Sequence, residues 1–218
     1  MTKKNQPAGG NFDWVAPVYD AMAFVVFGRK LQRAQTVYLN LIPEGASVLI
    51  VGGGTGWLLE QLLKHYEPGH ILYLESSGQM VAQASRRMVR KAVLGSVEFR
   101  VGDETSLRPD EKFDVVITPF LLDLFSESTL QTQLIPQLLH ALAPNGHWLV
   151  TDFVPPAVWW QKALLWTMIR FFRLTAGIET RQLANWQKLL QAAGLVNIAR
   201  KPQVGGMVSA QLWKRAEP

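Results

Sequence analysis

The sequence predicts an α/β fold: a doubly wound, mostly parallel seven-stranded sheet with a helical cap. Three observations predict it. Short apolar runs rich in Val, Ile and Leu alternate with helix-length segments from residue 47 to residue 153, as strands buried on both faces do. A glycine-rich turn joins the first of these runs to the helix after it. Beyond Phe153 the pattern changes to an aromatic-rich segment, a helix and two further strands.

The elements follow in order. After a polar tail, residues 12–40 read as helical, broken by Pro17 and Gly28. Their apolar residues, among them Met22, Phe24, Val25 and Phe27, are too dense for one narrow stripe, so the segment packs on something larger. Pro43-Glu44-Gly45 is a turn, and residues 47–51 form the first strand. Residues 57–66 read as a helix stopped by Pro68-Gly69, and 71–74 as the second strand. A helix over 79–93, strands over 97–101 and 113–118, and a helix over 129–142 come next. Pro144-Asn145-Gly146 closes that helix, and 147–153 is the fifth strand. Residues 180–193 read as a helix stopped by Gly194, and 195–201 and 207–214 as strands separated by Gly205-Gly206. This divides the chain into a helical cap, residues 1–44, and a main domain, 45–218, with a lid insertion at about 155–178.

Composition narrows the chemistry. With 48% hydrophobic and 18% charged residues among 218, the chain buries a real core and is not disordered. It has no cysteine, which excludes disulfides, thiolate nucleophiles, iron–sulfur clusters and cysteine-ligated zinc. His65, His70, His140 and His147 form no HxxxH or HExxH pair, so no metal site is expected. Residues 1–10 are polar with no apolar run directly behind them, and no stretch of about 20 uncharged apolar residues occurs. A cytoplasmic protein is the expectation. The net charge of +5 is uneven: residues 96–154 carry 3 basic and 9 acidic side chains, and residues 155–218 carry 9 and 2. No RGG tract, zinc finger or RNP-like motif accompanies the basic third, so nucleic acid is not an expected partner.

Gly52-Gly53-Gly54-Thr55-Gly56 lies between the first strand and the first helix. Glycine there permits a tight turn and lets a ligand approach the backbone with no Cβ in the way. Glu75 closes the second strand 23 residues after Gly52, where a carboxylate accepts both hydroxyls of a ribose. A glycine turn alone is only a tight connection; with the strand and the terminal acid it points to a nucleoside-containing cofactor. A dinucleotide fingerprint needs a small residue at position 57, which is Trp57, and no Walker lysine follows.

At this point the sequence resembles the class I S-adenosylmethionine-dependent methyltransferases. Residues 48–56 resemble that family's first motif, Phe113-Asp114-Val115-Val116-Ile117 its fourth strand, and Leu142-Ala143-Pro144-Asn145-Gly146 the turn before its fifth strand. The resemblance implies a Rossmann-like methyltransferase fold and S-adenosyl-L-methionine as cofactor. It implies that Gly52, Gly53, Gly54, Thr55, Gly56, Glu75, Ser76, Met80, Asp103, Glu104 and Phe120 bind that cofactor, with Glu75 on the ribose, Met80 against the adenine and Asp103 on its amino group. Residues 12–20, Phe12 to Asp20, resemble the opening of the ubiquinone/menaquinone-biosynthesis branch, which implies that Tyr19 approaches the methionine part of the cofactor. The competing reading makes Tyr19 and Phe12 ordinary packing aromatics. One departure stands out: Ile50 replaces the acid that the family carries two positions before the first glycine.

Methyl transfer from a sulfonium asks little of side chains beyond alignment and exclusion of water, so no catalytic residue is assigned. Asp123, just past the fourth strand, lies at the edge where an acceptor is expected; surface and capping roles compete for it. Between residues 155 and 177, Lys162, Trp166, Arg170 and Arg173 share one helical stripe at about 100° per residue, amid Trp159 and other apolar side chains. Three readings stay open: an apolar acceptor pocket including Trp159 and Trp166, a helix resting on anionic membrane, or a lid buried against the N-terminal helices or a second subunit in a homodimer. All favour a hydrophobic or aromatic small-molecule acceptor. The rivals are an NAD(P)-dependent oxidoreductase, opposed by Trp57, and a catalytically silent cofactor-binding module, favoured by Ile50.

Overall fold

The computed structural model describes residues 29–91, 96–155, 158, 159, 161, 167 and 183–216. Seven strands form one sheet: β1 (Ser47–Val51), β2 (His70–Glu75), β3 (Val97–Val101), β4 (Phe113–Pro119), β5 (Leu142–Phe153), β6 (Leu195–Gln203) and β7 (Val208–Arg215). Their spatial order is β3-β2-β1-β4-β5-β7-β6. The first five strands pair in parallel, and β7 runs antiparallel to both β5 and β6. The chain order reverses between β1 and β4, which opens a crevice at the carboxyl ends of those two strands.

The helices are α1 (Lys30–Gln35), α2 (Trp57–His65), α3 (Gly78–Lys91), α4 (Ile135–Ala141) and α5 (Trp186–Ala192). Side chains of β1 alternate between two cores. Val48 and Ile50 face Leu58, Leu59 and Leu62 of α2 and Ala84 and Met88 of α3. Leu49 and Val51 face Leu134 and Leu138, Trp186 and Leu190, on the side that α4 and α5 cover. This two-sided burial is why the strand reads as a continuous apolar run. Leu31 and Ala34 of α1 pack on Phe153, Met207 and Val208, so residues 29–35 sit beside the carboxyl end of β5.

Three elements differ from their sequence-based expectation, each for a local reason. The helix expected over 129–142 begins as a single turn, Glu127–Thr129, capped by the Ser126 hydroxyl, which accepts from the Thr129 N–H at 3.1 Å. It passes through a π turn at Leu130–Leu134 before α4. Pro136 has no N–H with which to continue an α ladder there. The helix expected over 180–193 starts only at Trp186, because Asn185 caps it by accepting from the Lys188 N–H at 3.2 Å. Strand β5 begins at Leu142; residues 143–146 loop out between the pairs Phe113–Leu142 and Val115–His147. Pro202 falls within β6, an edge strand, where a missing N–H is tolerated. The cap expected over 1–44 is described only from residue 29, and most of the lid at 155–178 lies outside the described residues. Among the described residues no helix is long and apolar enough to cross a membrane.

Trp148 on β5 and Thr118 on β4 are both fully buried, and the indole N–H donates to the threonine hydroxyl at 3.0 Å. Trp148→Phe removes the donor and part of the packed volume. The expected loss is about 1–3 kcal/mol, read as a lower urea midpoint with unchanged slope. An unchanged midpoint would contradict this view of the β4–β5 core.

Candidate active site

The glycine turn stands on the carboxyl end of β1. Gly52, Gly54 and Gly56 all have left-handed backbones, with φ of 71°, 63° and 80°. A Cβ on Gly53 would lie 2.4 Å from the Tyr73 ring, and one on Gly56 would lie 2.7 Å from Ala84. The turn is therefore pressed against β2 and α3. In front of Gly54 the space a Cβ would fill is open, as a ligand approaching the backbone requires.

Three side chains hold the turn in place. The register Val51–Leu74 brings the end of β2 beneath it. Glu75, 7% exposed, accepts from the Gly54 N–H through Oε2 at 3.0 Å. Its other oxygen accepts from the Ser77 N–H at 3.1 Å and from the Ser76 hydroxyl at 3.3 Å. A carboxylate has about four acceptor positions, so three donors leave capacity for a ribose hydroxyl. The Tyr73 hydroxyl donates to the Gly54 carbonyl at 2.7 Å. From α3, Arg87 Nε donates to the Thr55 carbonyl at 3.0 Å while its Nη1 pairs with Glu60 at 2.9 Å. Ile50 is fully buried in the α2 face of the core, so these groups order the turn without an acid at that position.

The remaining expected cofactor residues lie along the same edge. Met80 is buried near the start of α3, with its N–H donating to the Ser77 hydroxyl at 3.2 Å. Gly102, after β3, donates its N–H to the Glu75 carbonyl at 3.0 Å, which sets Asp103 beside Glu75. Asp103 Oδ1 accepts from the Thr105 N–H at 3.0 Å, so the residue does cap a short turn. Among the described residues its Oδ2 takes no donor. Glu104 is buried, and burial pushes its carboxyl up, with the charge of Asp103 acting in the same direction.

On the other side of the crevice, Phe120 follows β4 with φ of 52°, a conformation that costs roughly 1–3 kcal/mol for a residue with a Cβ. Its N–H donates to the Thr151 carbonyl at 2.7 Å, and its ring tilts against Phe153 at 5.5 Å. This bend carries Leu121 over the turn: a Cβ on Gly52 would lie 2.9 Å from Leu121 Cδ1. It also lays the next residues on Asp152, at the end of β5 and fully buried. Asp152 Oδ2 accepts from the Leu122 N–H at 2.7 Å and the Asp123 N–H at 3.4 Å, and Oδ1 from the Phe153 N–H at 2.7 Å. The Asp123 carboxyl lies beside that of Asp152, and its buried Oδ1 has no hydrogen-bond partner. Burial raises both carboxyls, Asp123 to about 6, so the pair keeps a proton that ordinary aspartates would have lost.

Of the other expected acceptor residues, Trp159 is 78% exposed, and Tyr19 and Trp166 lie outside the described residues. Sequence reasoning missed Tyr73, Arg87 and Asp152. Asp152 had a legible signal, a lone acid within the apolar run that forms β5; Tyr73 and Arg87 had none, since their roles arise from the fold. Among the described residues no group of three or more His, Asp or Glu is placed to hold a metal.

A group whose folded-state pKa is raised stabilises the fold at low pH and loses that contribution as pH rises through the folded value. For Asp123 the window runs from 3.8 to about 6. Melting temperature across this window should fall with pH more steeply in the wild type than in Asp123→Asn, whose amide donates to Asp152 without titrating. Parallel slopes would contradict the buried pair.

Comparison with known proteins supports this geometry. Residues 48–146 match the family model of the methyltransferase domain. The ubiquinone/menaquinone biosynthesis C-methyltransferase of Pseudomonas fluorescens is 31% identical over 159 residues, covering 71% of this chain and 61% of that protein. The enzyme of the same name from Azotobacter vinelandii is 31% identical over 150 residues, 67% of this chain and 58% of its own. The chain thus spans about three fifths of the length of these relatives. Among solved structures, mitomycin 7-O-methyltransferase aligns with a TM-score of 0.69 at 18% identity, over 92% of this chain and 58% of its own. An O-methyltransferase from neocarzinostatin biosynthesis, in complex with S-adenosylmethionine and 2-hydroxy-5-methyl naphthoic acid, aligns with a TM-score of 0.63 at 23% identity, over 92% and 58%. At these identities the structural likeness speaks for the fold. Together with the sequence match and the glycine turn over Glu75, it places the chain in the class I S-adenosylmethionine-dependent methyltransferase family, where it resembles the ubiquinone/menaquinone-biosynthesis branch.

Proposed function

We propose that this protein transfers a methyl group from S-adenosylmethionine to a hydrophobic, hydroxylated aromatic small molecule. The observation that carries the reading is the open glycine turn at the β1–β4 reversal with the Glu75 carboxylate bonded to Gly54 beneath it. When bound, S-adenosylmethionine supplies a methyl group already activated on a sulfonium. Glu75 and Asp103 would take the ribose and the adenine amino group, and Met80 the adenine face. The open backbone at Gly54 would admit the amino-acid end of the cofactor. The segment 120–125 then forms the lip along which an acceptor lies. Phe120, Leu121, Leu124 and Phe125 on that lip are half-buried, which suits an apolar ring better than a charged one.

The aromatic acceptor is further supported by the names of the relatives, which act in quinone biosynthesis, and by the naphthoic acid held by one structural neighbour. Trp159, 78% exposed, and Val158, 41% exposed, supply an apolar margin for an acceptor drawn from a membrane surface. An NAD(P) oxidoreductase is disfavoured by Trp57, whose half-buried side chain packs into the α2 core where the dinucleotide turn needs a small residue.

Calorimetry separates these readings: S-adenosylhomocysteine should bind and NAD should not. Glu75→Ala should weaken S-adenosylhomocysteine by about 1.5–3 kcal/mol, since charge-assisted bonds to the ribose and to Gly54 are both lost. Tight NAD binding, or unchanged affinity in a folded Glu75→Ala protein, would overturn the assignment.

A further inference from the structure

We propose that Asp123, held against Asp152, takes the proton from the acceptor hydroxyl during methyl transfer. The inference rests on the reading above and names the base which that reading lacks.

Position selects the candidates. A base must stand at the carboxyl edge, on the β4–β5 side of the crevice, because the β1–β2–β3 side receives the nucleoside. The four histidines are at the opposite edge: His70 begins β2, His147 pairs with Val115 near the start of β4, His65 ends α2, and His140 contacts the Pro109 carbonyl. Glu75 is engaged by three donors, and Asp103 and Glu104 follow β3, two strands beyond β1. Among the described residues, Asp123 and Asp152 are the acids that remain on this side of the crevice.

Their arrangement is costly as a purely structural device. Two carboxyls lie side by side, and among the described residues no lysine or arginine pairs with either; the charge of Asp123 pushes Asp152 up further. Burying like charges is unfavourable unless a proton is shared. The two members are not equivalent. Asp152 is fully buried and fixed by three backbone N–H groups. Asp123 sits on the half-buried lip two residues after Leu121, which covers Gly52, and its Oδ1 has no N–H or hydroxyl donor. That buried oxygen lacks a donor, which an acceptor hydroxyl reaching it from the lip would supply, so Asp123 rather than Asp152 is the member that would receive the proton. Asp152 is a positioning residue, which also stabilises the anion by hydrogen bonding.

The step balances without a further reagent. The acceptor O–H bond breaks and its proton passes to the singly charged carboxyl pair. The freed electron pair, on oxygen or through the ring on an adjacent carbon, forms the bond to the methyl carbon. The S–CH3 pair stays on sulfur, leaving a neutral thioether. In carbon methylation the same pair of carboxyls, once it has returned the first proton to solvent, removes the ring proton.

The test uses two naphthol probes of different acidity with the full chain. 2-Naphthol needs a base, whereas 1-nitro-2-naphthol is ionised at neutral pH without one. Asp123→Asn should lower single-turnover transfer to 2-naphthol by about 100-fold or more, the scale of general-base catalysis. Transfer to the nitro probe should stay within about 3-fold of wild type. The wild-type 2-naphthol rate should rise with pH through about 6, and the variant should lose that rise. Two readouts do not depend on turnover: S-adenosylhomocysteine affinity should be unchanged, and the pH slope of the melting temperature should flatten. Should Asp123→Asn not fold, Asp123→Ser carries the same comparison. Equal losses with both probes, or none, would overturn the assignment and leave Asp123 a structural residue. Failure of the wild type to methylate either probe while binding S-adenosylhomocysteine would sink the aromatic-hydroxyl acceptor, and the proton acceptor with it.

Discussion

The hydrogen bond from the Gly54 N–H to Glu75 joins the two parts of the molecule on which everything else depends. It spans from the turn after β1 to the end of β2, so it exists only when the two strands stand in the observed register. A one-residue slip would turn Glu75 to the other face of the sheet and bury a charge among leucines. The same register places the Tyr73 hydroxyl under the Gly54 carbonyl, and its ring forbids any side chain at Gly53. Sheet register, glycine content and ligand site are thus one constraint seen at three levels.

Across the crevice a different pair of groups performs the matching task. Phe120 takes a strained backbone conformation, and the chain behind it is held by amides donated to Asp152. Local strain of this kind persists only where the surroundings fix it. The pairing of β4 with β5 fixes it, with Trp148 bonded to Thr118 immediately below. The half of the site near β1 and β2 is built from backbone groups and the single acid Glu75. The half near β4 and β5 is built from a proton-sharing pair. That asymmetry suits a reaction in which the donor is only bound and the acceptor must lose a proton.

Much of this was legible in the sequence because burial on both faces imposes a simple pattern. The runs 47–51 and 113–118 are apolar apart from Ser47, Asp114 and Thr118, and both are strands with nearly those limits. The glycine turn and Glu75 were legible for the same reason, since few residue types satisfy a left-handed backbone or a carboxylate at a strand end. Helix limits were less so: Asn185 and Pro136 each act through a local hydrogen bond gained or lost, which apolar periodicity does not register. The Arg87 bond to Thr55 joins residues 32 apart, and Asp123 and Asp152 lie 29 apart. Such partners meet only through strand order, and no spacing rule reaches them.

In the function proposed for this protein, the turn over Glu75 is an S-adenosylmethionine site facing an acceptor lip at residues 120–125. A crystal structure of the full chain with S-adenosylhomocysteine tests it most directly. In that complex the ribose hydroxyls should lie on Glu75, the adenine between Met80 and Asp103, and the sulfur should turn toward the lip that carries Asp123. A ligand seated elsewhere, or bound here with its sulfur pointing away from β4, would contradict it.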